Sequence, residues 1–432
     1  MDHGNQTSIR SGNGGLDAPL KWRLVYMKIA LVTYSLNVGG VESLLQDLGS
    51  KFRAAGNEVF FVETEYKGEW SEVTRKLGFP VISVVRRCGG TRARHCAEVA
   101  LALSDFDVLL INDAPLAMAA LRALPPSVVA IPILHMARDS MLRNATSATG
   151  QCQRIVAVAP GAFDGLRASL PRSNLRTLCI PNGTSVQPPR VRSVVREGPL
   201  RLIYVGRVEH RQKNVLLIPE ILGLVIKRGV KLMLDVVGDG PDTAILKDRL
   251  VRCGVPYAMH GHVLREQAIS LMRRSDILLM PSNYEGLSMT LLEGMAAGLA
   301  PVVSRLAGST DVVVKSGVNG VLVDALDVAA CGDAIFELAT HPTLLAEIAQ
   351  GAQETIRTRF SGDLMARDYL SMIGECIQEI RTSPPRRTGE VDSSLLGDFA
   401  HVPYGLVRPV RKALRLLGLY SSGTNSQNAQ NL

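Results

Sequence analysis

Two glutamates stand eight positions apart in Pro281-Ser282-Asn283-Tyr284-Glu285-Gly286-Leu287-Ser288-Met289-Thr290-Leu291-Leu292-Glu293-Gly294. With Glu285 in a loop after an apolar run and Glu293 inside the helix that follows, both carboxylates can face one pocket. A carboxylate accepts from two vicinal hydroxyls at once, and a charged hydrogen bond contributes roughly 1.5 to 3 kcal/mol. Sugars and riboses offer such hydroxyl pairs. The same spacing also suits an acid favoured by a helix dipole followed by an exposed helical glutamate. Upstream, Gly206-Arg207 follows another apolar run, and Lys213 comes six residues later at the expected start of the next helix. Two cations meeting a helix N-terminus would neutralise a departing diphosphate, whereas alone they are ordinary solvated charges. Gly39-Gly40 lies between the first apolar run and a helix, where glycine lets backbone N–H groups approach a phosphate or simply makes a tight turn. Gly238-Asp239-Gly240-Pro241 has Thr243 where a dinucleotide-binding fingerprint needs its third glycine, so a strand-to-helix turn is the expectation there.

The elements that must position these residues are visible as rhythm. From Met27 onward short apolar runs alternate with amphipathic segments, the pattern of parallel sheets covered by helices on both faces. Strands are expected at 29–33, 59–62, 81–85, 108–111, 128–134 and 155–158. Between the first two, Val41, Leu44, Leu45, Leu48 and Phe52 fall on one helical face and complete a βαβ unit. Residues 185–198, with Gln187-Pro188-Pro189 and then Arg190, Arg192 and Arg196, read as an interdomain linker. A second series follows, with strands at 202–205, 232–237, 277–280, 302–304 and 321–323 and helices at 214–228, 244–252 and 291–297. The fold class is α/β, two tandem Rossmann-like doubly wound domains at 27–184 and 199–359, whose carboxyl-edge loops face a shared cleft.

A chain of 432 residues exceeds what one core serves, and 46% hydrophobic with 20% charged residues is ordinary globular usage. A net charge of +8 permits anionic partners without requiring nucleic acid, and none is expected. The seven cysteines contain no CxxC and no zinc-like spacing, which suits a reducing cytosol and predicts no metal site. No apolar run approaches the roughly 18 residues of a spanning helix. Residues 1–26 read as a disordered extension without the apolar centre of a signal peptide, and Met27 is an alternative start.

In this order and at these separations, Gly39-Gly40, Asn182-Gly183, Gly206-Arg207 with Lys213, Gly238-Asp239-Gly240-Pro241 and the Glu285-to-Glu293 spacing resemble a retaining glycosyltransferase of the GT-B fold, family 4, also called glycosyltransferase group 1. The likeness runs from about Met27 to Phe360. It implies that Arg207 and Lys213 bind the donor diphosphate, that Glu293 holds the nucleotide ribose and that Glu285 faces the donor sugar. Gly206 precedes the diphosphate pair, and backbone groups at Gly39, Gly40, Gly286 and Leu287 complete the cradle. His135, after the strand at 128–134, would face the reaction centre; by itself it reads as a satisfied structural histidine. The family mechanism retains the anomeric configuration, the leaving phosphate receives the acceptor proton, and neither metal nor other cofactor is needed. Ala159 in place of a frequent serine and Gly294 in place of a common alanine depart from the pattern without removing a charge. A helix at 360–383 would cross back to the first domain.

The leading expectation is therefore an enzyme moving a sugar from a nucleotide-sugar donor to a lipid-linked or saccharide acceptor of a surface glycan. Two alternatives stand beside it, a degenerate glycosyltransferase kept as a subunit and a different sugar-phosphate or NAD-linked enzyme of similar build. In the tail, 384–432, Val407, Val410, Leu414 and Leu417 form an apolar stripe beside Arg408, Arg411, Lys412 and Arg415, with Pro409 expected in a helical first turn. That stripe suits either an anionic membrane surface, placing the protein in the cytoplasm and at the inner face of the membrane, or packing on the first domain.

Overall fold

The computed structural model describes residues 26–170, 177–190, 198–398 and 400–416, with the backbone alone at 408 and 414–416. The extension at 1–25, residues 191–197 of the linker with Arg192 and Arg196, and the tail from Leu417 lie outside the described residues.

Among the described residues thirteen strands form two parallel sheets. The first holds β1 (Lys28–Thr33), β2 (Glu58–Glu63), β3 (Val81–Ser83), β4 (Val108–Asn112), β5 (Val129–Leu134), β6 (Ile155–Ala157) and β7 (Thr177–Cys179), ordered β3-β2-β1-β4-β5-β6-β7. The second holds β8 (Leu200–Val205), β9 (Leu232–Val237), β10 (Tyr257–Gly261), β11 (Ile277–Met280), β12 (Ala300–Ser304) and β13 (Val321–Val323), ordered β10-β9-β8-β11-β12-β13. In each sheet the order reverses beside the first strand of the domain, which opens a crevice at the carboxyl edge. In the first domain Ile29 pairs with both Val59 and Val108 at that point. The central strands are mostly apolar because helices cover both faces: Ile29 and Leu31 pack with Leu45, Leu48 and Phe52, while Ala30 and Val32 pack with Val99 and Leu103.

The structure corrects the sequence reading in four places. β7 and β10 went unread, since β7 has three residues and the edge strand β10 is half-buried and carries His260. The strand expected at 81–85 ends at Ser83. The helix expected from Asn214 begins at Ile218, after a turn at His210–Lys213 and a 3-10 turn at Val215–Leu217, because Asn214 adopts a left-handed φ of 51°. Pro409 lies inside the helix Tyr404–Leu416 rather than in its first turn, so its ring removes an interior hydrogen bond.

The chain returns to its start. The helix Gly362–Thr382 packs on the helix Gly40–Ala54, and Arg154 grips Glu379 through two bonds of 2.6 Å. Arg387 then donates to the carbonyls of Pro125, Val128 and Gln151, and Leu396 and Ala400 are buried in the first domain. Residues 384–403 are thus a strap on that domain, and Tyr404 ends it with its N–H on Gly90 O and its hydroxyl 2.9 Å from His95 Nδ1.

Candidate active site

Between the sheets lies a cavity of about 920 Å³, lined from the first domain by Gly39, Gly40, Trp70 and His135 and from the second by Gly206, Arg207, Lys213, Gly286, Leu287 and both glutamates. Every residue singled out as a site candidate in the sequence reaches this one cleft.

Its floor on the second domain depends on two loops touching. Gly206, after β8, has φ 148°, and Gly238, after β9, has φ 121°; a Cβ on Gly238 would stand 2.0 Å from Gly206 O. Both φ values favour glycine, and at Gly238 the close approach leaves no room for a side chain as well. The turn Gly238-Asp239-Gly240-Pro241 is the expected strand-to-helix connection, with Thr243 Oγ1 donating to Asp239 Oδ1 at 2.6 Å. That bond and the Gly240 N–H hold the Asp239 carboxyl below its ordinary range.

Lys213 closes the turn His210–Lys213 instead of opening a long helix, so a helix dipole does not reinforce it as expected. Its aim comes from elsewhere. Asn214 and Asn283 exchange amide bonds of 2.7 and 2.9 Å, and Asn283 N–H donates to Gln212 O at 2.7 Å, which ties the loop after β8 to the loop after β11. Across that tie Lys213 Nζ lies 2.6 Å from Glu285 Oε1, with both residues largely shielded from solvent. Arg207 is exposed and makes no ion pair among the described residues; its carbonyl accepts from Tyr204 Oη at 2.6 Å.

Glu293 sits on the helix Met289–Ala296, whose start Ser288 caps by accepting from Leu291 N–H. Its carboxylate accepts from Arg265 Nε at 2.7 Å. Burial raises its proton affinity, and the adjacent guanidinium opposes the rise. The segment between the glutamates is clamped to the first domain. A Cβ on Gly286 would stand 2.3 Å from His135 O, and Asn182 Nδ2 donates to Leu287 O at 3.0 Å.

On the facing wall, the Glu63 carboxylate accepts from Leu36 N–H, Gly68 N–H, Ser71 Oγ and Ser83 Oγ and so shapes the loop leading to Gly39-Gly40. Gly40 comes against Met289, its virtual Cβ 3.4 Å from that side chain. The half-buried Glu42 carboxyl in the following turn is pushed up by burial to about 7. His135 Nε2 lies 2.9 Å from Asn112 Oδ1, whose amide nitrogen is turned onto Leu110 O and Val32 O. Asn112 therefore presents an acceptor, and Nε2 carries the proton. Burial lowers His135 to about 4, so the ring is neutral near pH 7 and Nδ1 keeps its lone pair.

Sequence reasoning missed Arg265, Asn112, Glu63 and Asp47, which lies 3.9 Å from Arg265 on the first domain's opening helix. Arg265 follows the unread β10, and the others resemble ordinary polar residues of strand ends and helix faces.

Comparison with known proteins agrees with this architecture. Residues 199–341 match the family model described as glycosyl transferases group 1, so the second domain is of glycosyltransferase type. The glycogen synthase of Mycobacterium tuberculosis is 28% identical over 173 residues, 40% of this chain and 41% of that protein. The D-inositol 3-phosphate glycosyltransferase of Salinispora tropica is 35% identical over 113 residues, 26% of this chain and 23% of that one. An exopolysaccharide phosphotransferase of Streptomyces coelicolor is 27% identical over 318 residues, 70% of this chain and 32% of that one. The chain thus spans less than half the length of these curated relatives. Among solved structures, Anabaena Alr3699/HepE in complex with UDP and glucose superposes with a TM-score of 0.69 at 18% identity, covering 81% of this chain and all of that one. The lipopolysaccharide outer core galactosyltransferase WaaB gives 0.63 at 18% identity, covering 81% and 99%. The fold is GT-B.

Proposed function

We propose that this chain is a glycosyltransferase that moves a sugar from a nucleotide-sugar donor to a lipid-linked or saccharide acceptor, with retention of anomeric configuration, in the assembly of a surface glycan. The observation that carries the reading is the meeting of Arg207, Lys213, Glu285 and Glu293 in one interdomain cleft. Two cations stand where a diphosphate would leave, beside two carboxylates able to hold hydroxyls. The neighbour solved with UDP and glucose supports a nucleotide-sugar donor.

In this reading Arg207 and Lys213 take up charge as the diphosphate departs, and the orphan N–H groups that open the helix Gly40–Ala54 assist them. Together they do the work that a divalent cation does in other transferases. Glu293 holds the ribose. Glu285, steadied by Lys213, holds a donor-sugar hydroxyl. The acceptor attacks on the face the phosphate leaves, and the departing phosphate oxygen takes its proton, so no protein base is required. Neutral His135 offers Nδ1 as an acceptor beside that centre. Among the described residues no helix is long and apolar enough to cross a membrane, and the basic helix Tyr404–Leu416 would bring the enzyme to a lipid-borne acceptor at the cytoplasmic face.

Thermal stabilisation by a panel of nucleotides, followed by NMR of the anomeric configuration in the product, tests the reading. Failure of every nucleotide to stabilise the chain overturns it, and an inverted product overturns retention.

A further inference from the structure

Arg265 holds three parts of the chain with one guanidinium. Its Nε donates to Glu293 Oε1 at 2.7 Å, in the second domain. Its Nη2 donates to Thr184 Oγ1 at 3.3 Å, at the crossing between domains. The same nitrogen lies 3.9 Å from Asp47 Oδ2 in the first domain. Asp47 is itself placed by Ser185 Oγ, which donates to Oδ1 at 2.8 Å, while buried Oδ2 has no hydrogen-bond partner among the described residues.

This arrangement differs from simple charge neutralisation. A fork–fork pair would occupy both carboxylate oxygens of Glu293. Here the second fork of the guanidinium is drawn toward Thr184 and Asp47. Oε2 of Glu293 has no protein partner among the described residues, and both Arg265 and Glu293 line the cleft. A carboxylate alone on a helix samples several rotamers; one tethered through a single oxygen presents the other in a fixed direction. Two carboxylates share one cation in this buried cluster, so the guanidinium is held from both domains and has little freedom to turn away.

We propose that Arg265 is a positioning residue for nucleotide recognition: its one-oxygen grip on Glu293, aimed by Thr184 and Asp47, directs Oε2 at a ribose hydroxyl. The proposal rests on the reading of Glu293 as the ribose contact.

The test is calorimetric titration of the full chain with UDP, GDP and ADP and with their 2′-deoxy and 3′-deoxy counterparts. A charge-assisted hydrogen bond to the missing hydroxyl predicts that the parent favours a ribonucleotide over one deoxy form by about ten-fold or more. Arg265→Ala is expected to bring that ratio to within about two-fold while binding the deoxy nucleotide nearly as well as the parent. Arg265→Lys, which keeps the charge, should recover part of the ratio and serves as the test if the alanine variant does not fold. An arginine with only a structural role would weaken ribo and deoxy forms alike; an unchanged ratio in the folded variants, or no preference in the parent, overturns the proposal. A parent that binds none of the nucleotides overturns the glycosyl-transfer reading as well, so the two failures are told apart.

Discussion

Lys213 Nζ and Glu285 Oε1 lie 2.6 Å apart, and the two side chains are buried to 15% and 6% exposure. Arg207, the other cation of the cleft, is exposed and makes no ion pair among the described residues. The like roles proposed for them in neutralising a diphosphate therefore come with unequal roles in the fold, and substitution separates them.

Lys213→Ala should lower turnover about 10²- to 10³-fold and also destabilise the chain by about 3 kcal/mol, because it strands the Glu285 carboxylate in a buried site. A Lys213→Met, Glu285→Gln double variant should regain most of the stability and none of the turnover. Arg207→Ala should lose turnover to a similar degree with stability unchanged to within about 0.5 kcal/mol. Urea denaturation beside steady-state kinetics checks both; a Lys213→Ala protein as stable as the parent contradicts the pairing.

At Gly286 the constraint is spatial. A methyl group there would meet His135 O at 2.3 Å, backbone against backbone across the domain junction. Gly286→Ala should cost about 1 to 3 kcal/mol and lower transfer by spreading the cleft, since neither loop can give way as a flexible side chain would. A parental denaturation midpoint with parental activity would show that the two loops do not touch.

The pH dependence has two opposed parts. Folded Glu42 keeps its proton up to about 7, whereas the unfolded chain releases it near 4.5, so this residue makes stability fall as pH rises across that window. Folded His135 takes its proton only at about 4 against an ordinary 6.5, so it makes stability fall as pH drops across 6.5 to 4. Over the shared range these two contributions oppose each other. Glu42→Gln should leave the His135 slope alone, with stability rising from pH 4.5 to 6.5 and a gain on the order of 1 to 3 kcal/mol at pH above 7. Denaturation midpoints across these windows decide it, a flat profile in the variant being the contrary result.

What could be read in the sequence follows from how locally each feature is encoded. β4 and β11 are buried on both faces and appear as unbroken apolar runs, Val108 to Ile111 and Ile277 to Met280, which no surface element imitates. β10 is an edge strand of half-buried residues and lacks that signature. Glu285 and Glu293 could be placed in one pocket because a strand, a loop and one helix carry both. Arg265 stands 28 residues before Glu293 and meets it only through the order of strands in the sheet, while Asp47 is a polar residue on an amphipathic helix until the second domain folds against it. Local rhythm reports elements, and contacts between domains need the topology.

The helix Tyr404–Leu416 is the part of the described tail that would meet an anionic membrane. A truncation that tests its role must spare the strap before it, which belongs to the first domain: Arg387 satisfies three backbone carbonyls, and Leu396 and Ala400 fill its core. A chain ending near Ser383 would lose these contacts and confuse misfolding with loss of binding. One ending at Tyr404 keeps the strap and the Tyr404 contact with His95. It removes Arg408, Arg411, Lys412 and Arg415, each worth about 1 kcal/mol near an anionic surface, together with the apolar stripe, whose Val407 and Val410 are half-buried in the full chain, and the neighbouring Leu406, which is 53% exposed. The full chain should co-sediment with phosphatidylserine vesicles and be released as salt rises, and the shortened chain should stay in the supernatant. Its nucleotide affinity should match that of the full chain, since the cleft lies elsewhere. Equal pelleting of the two, or none by either, would remove lipid docking and leave the helix as a packing element of the first domain.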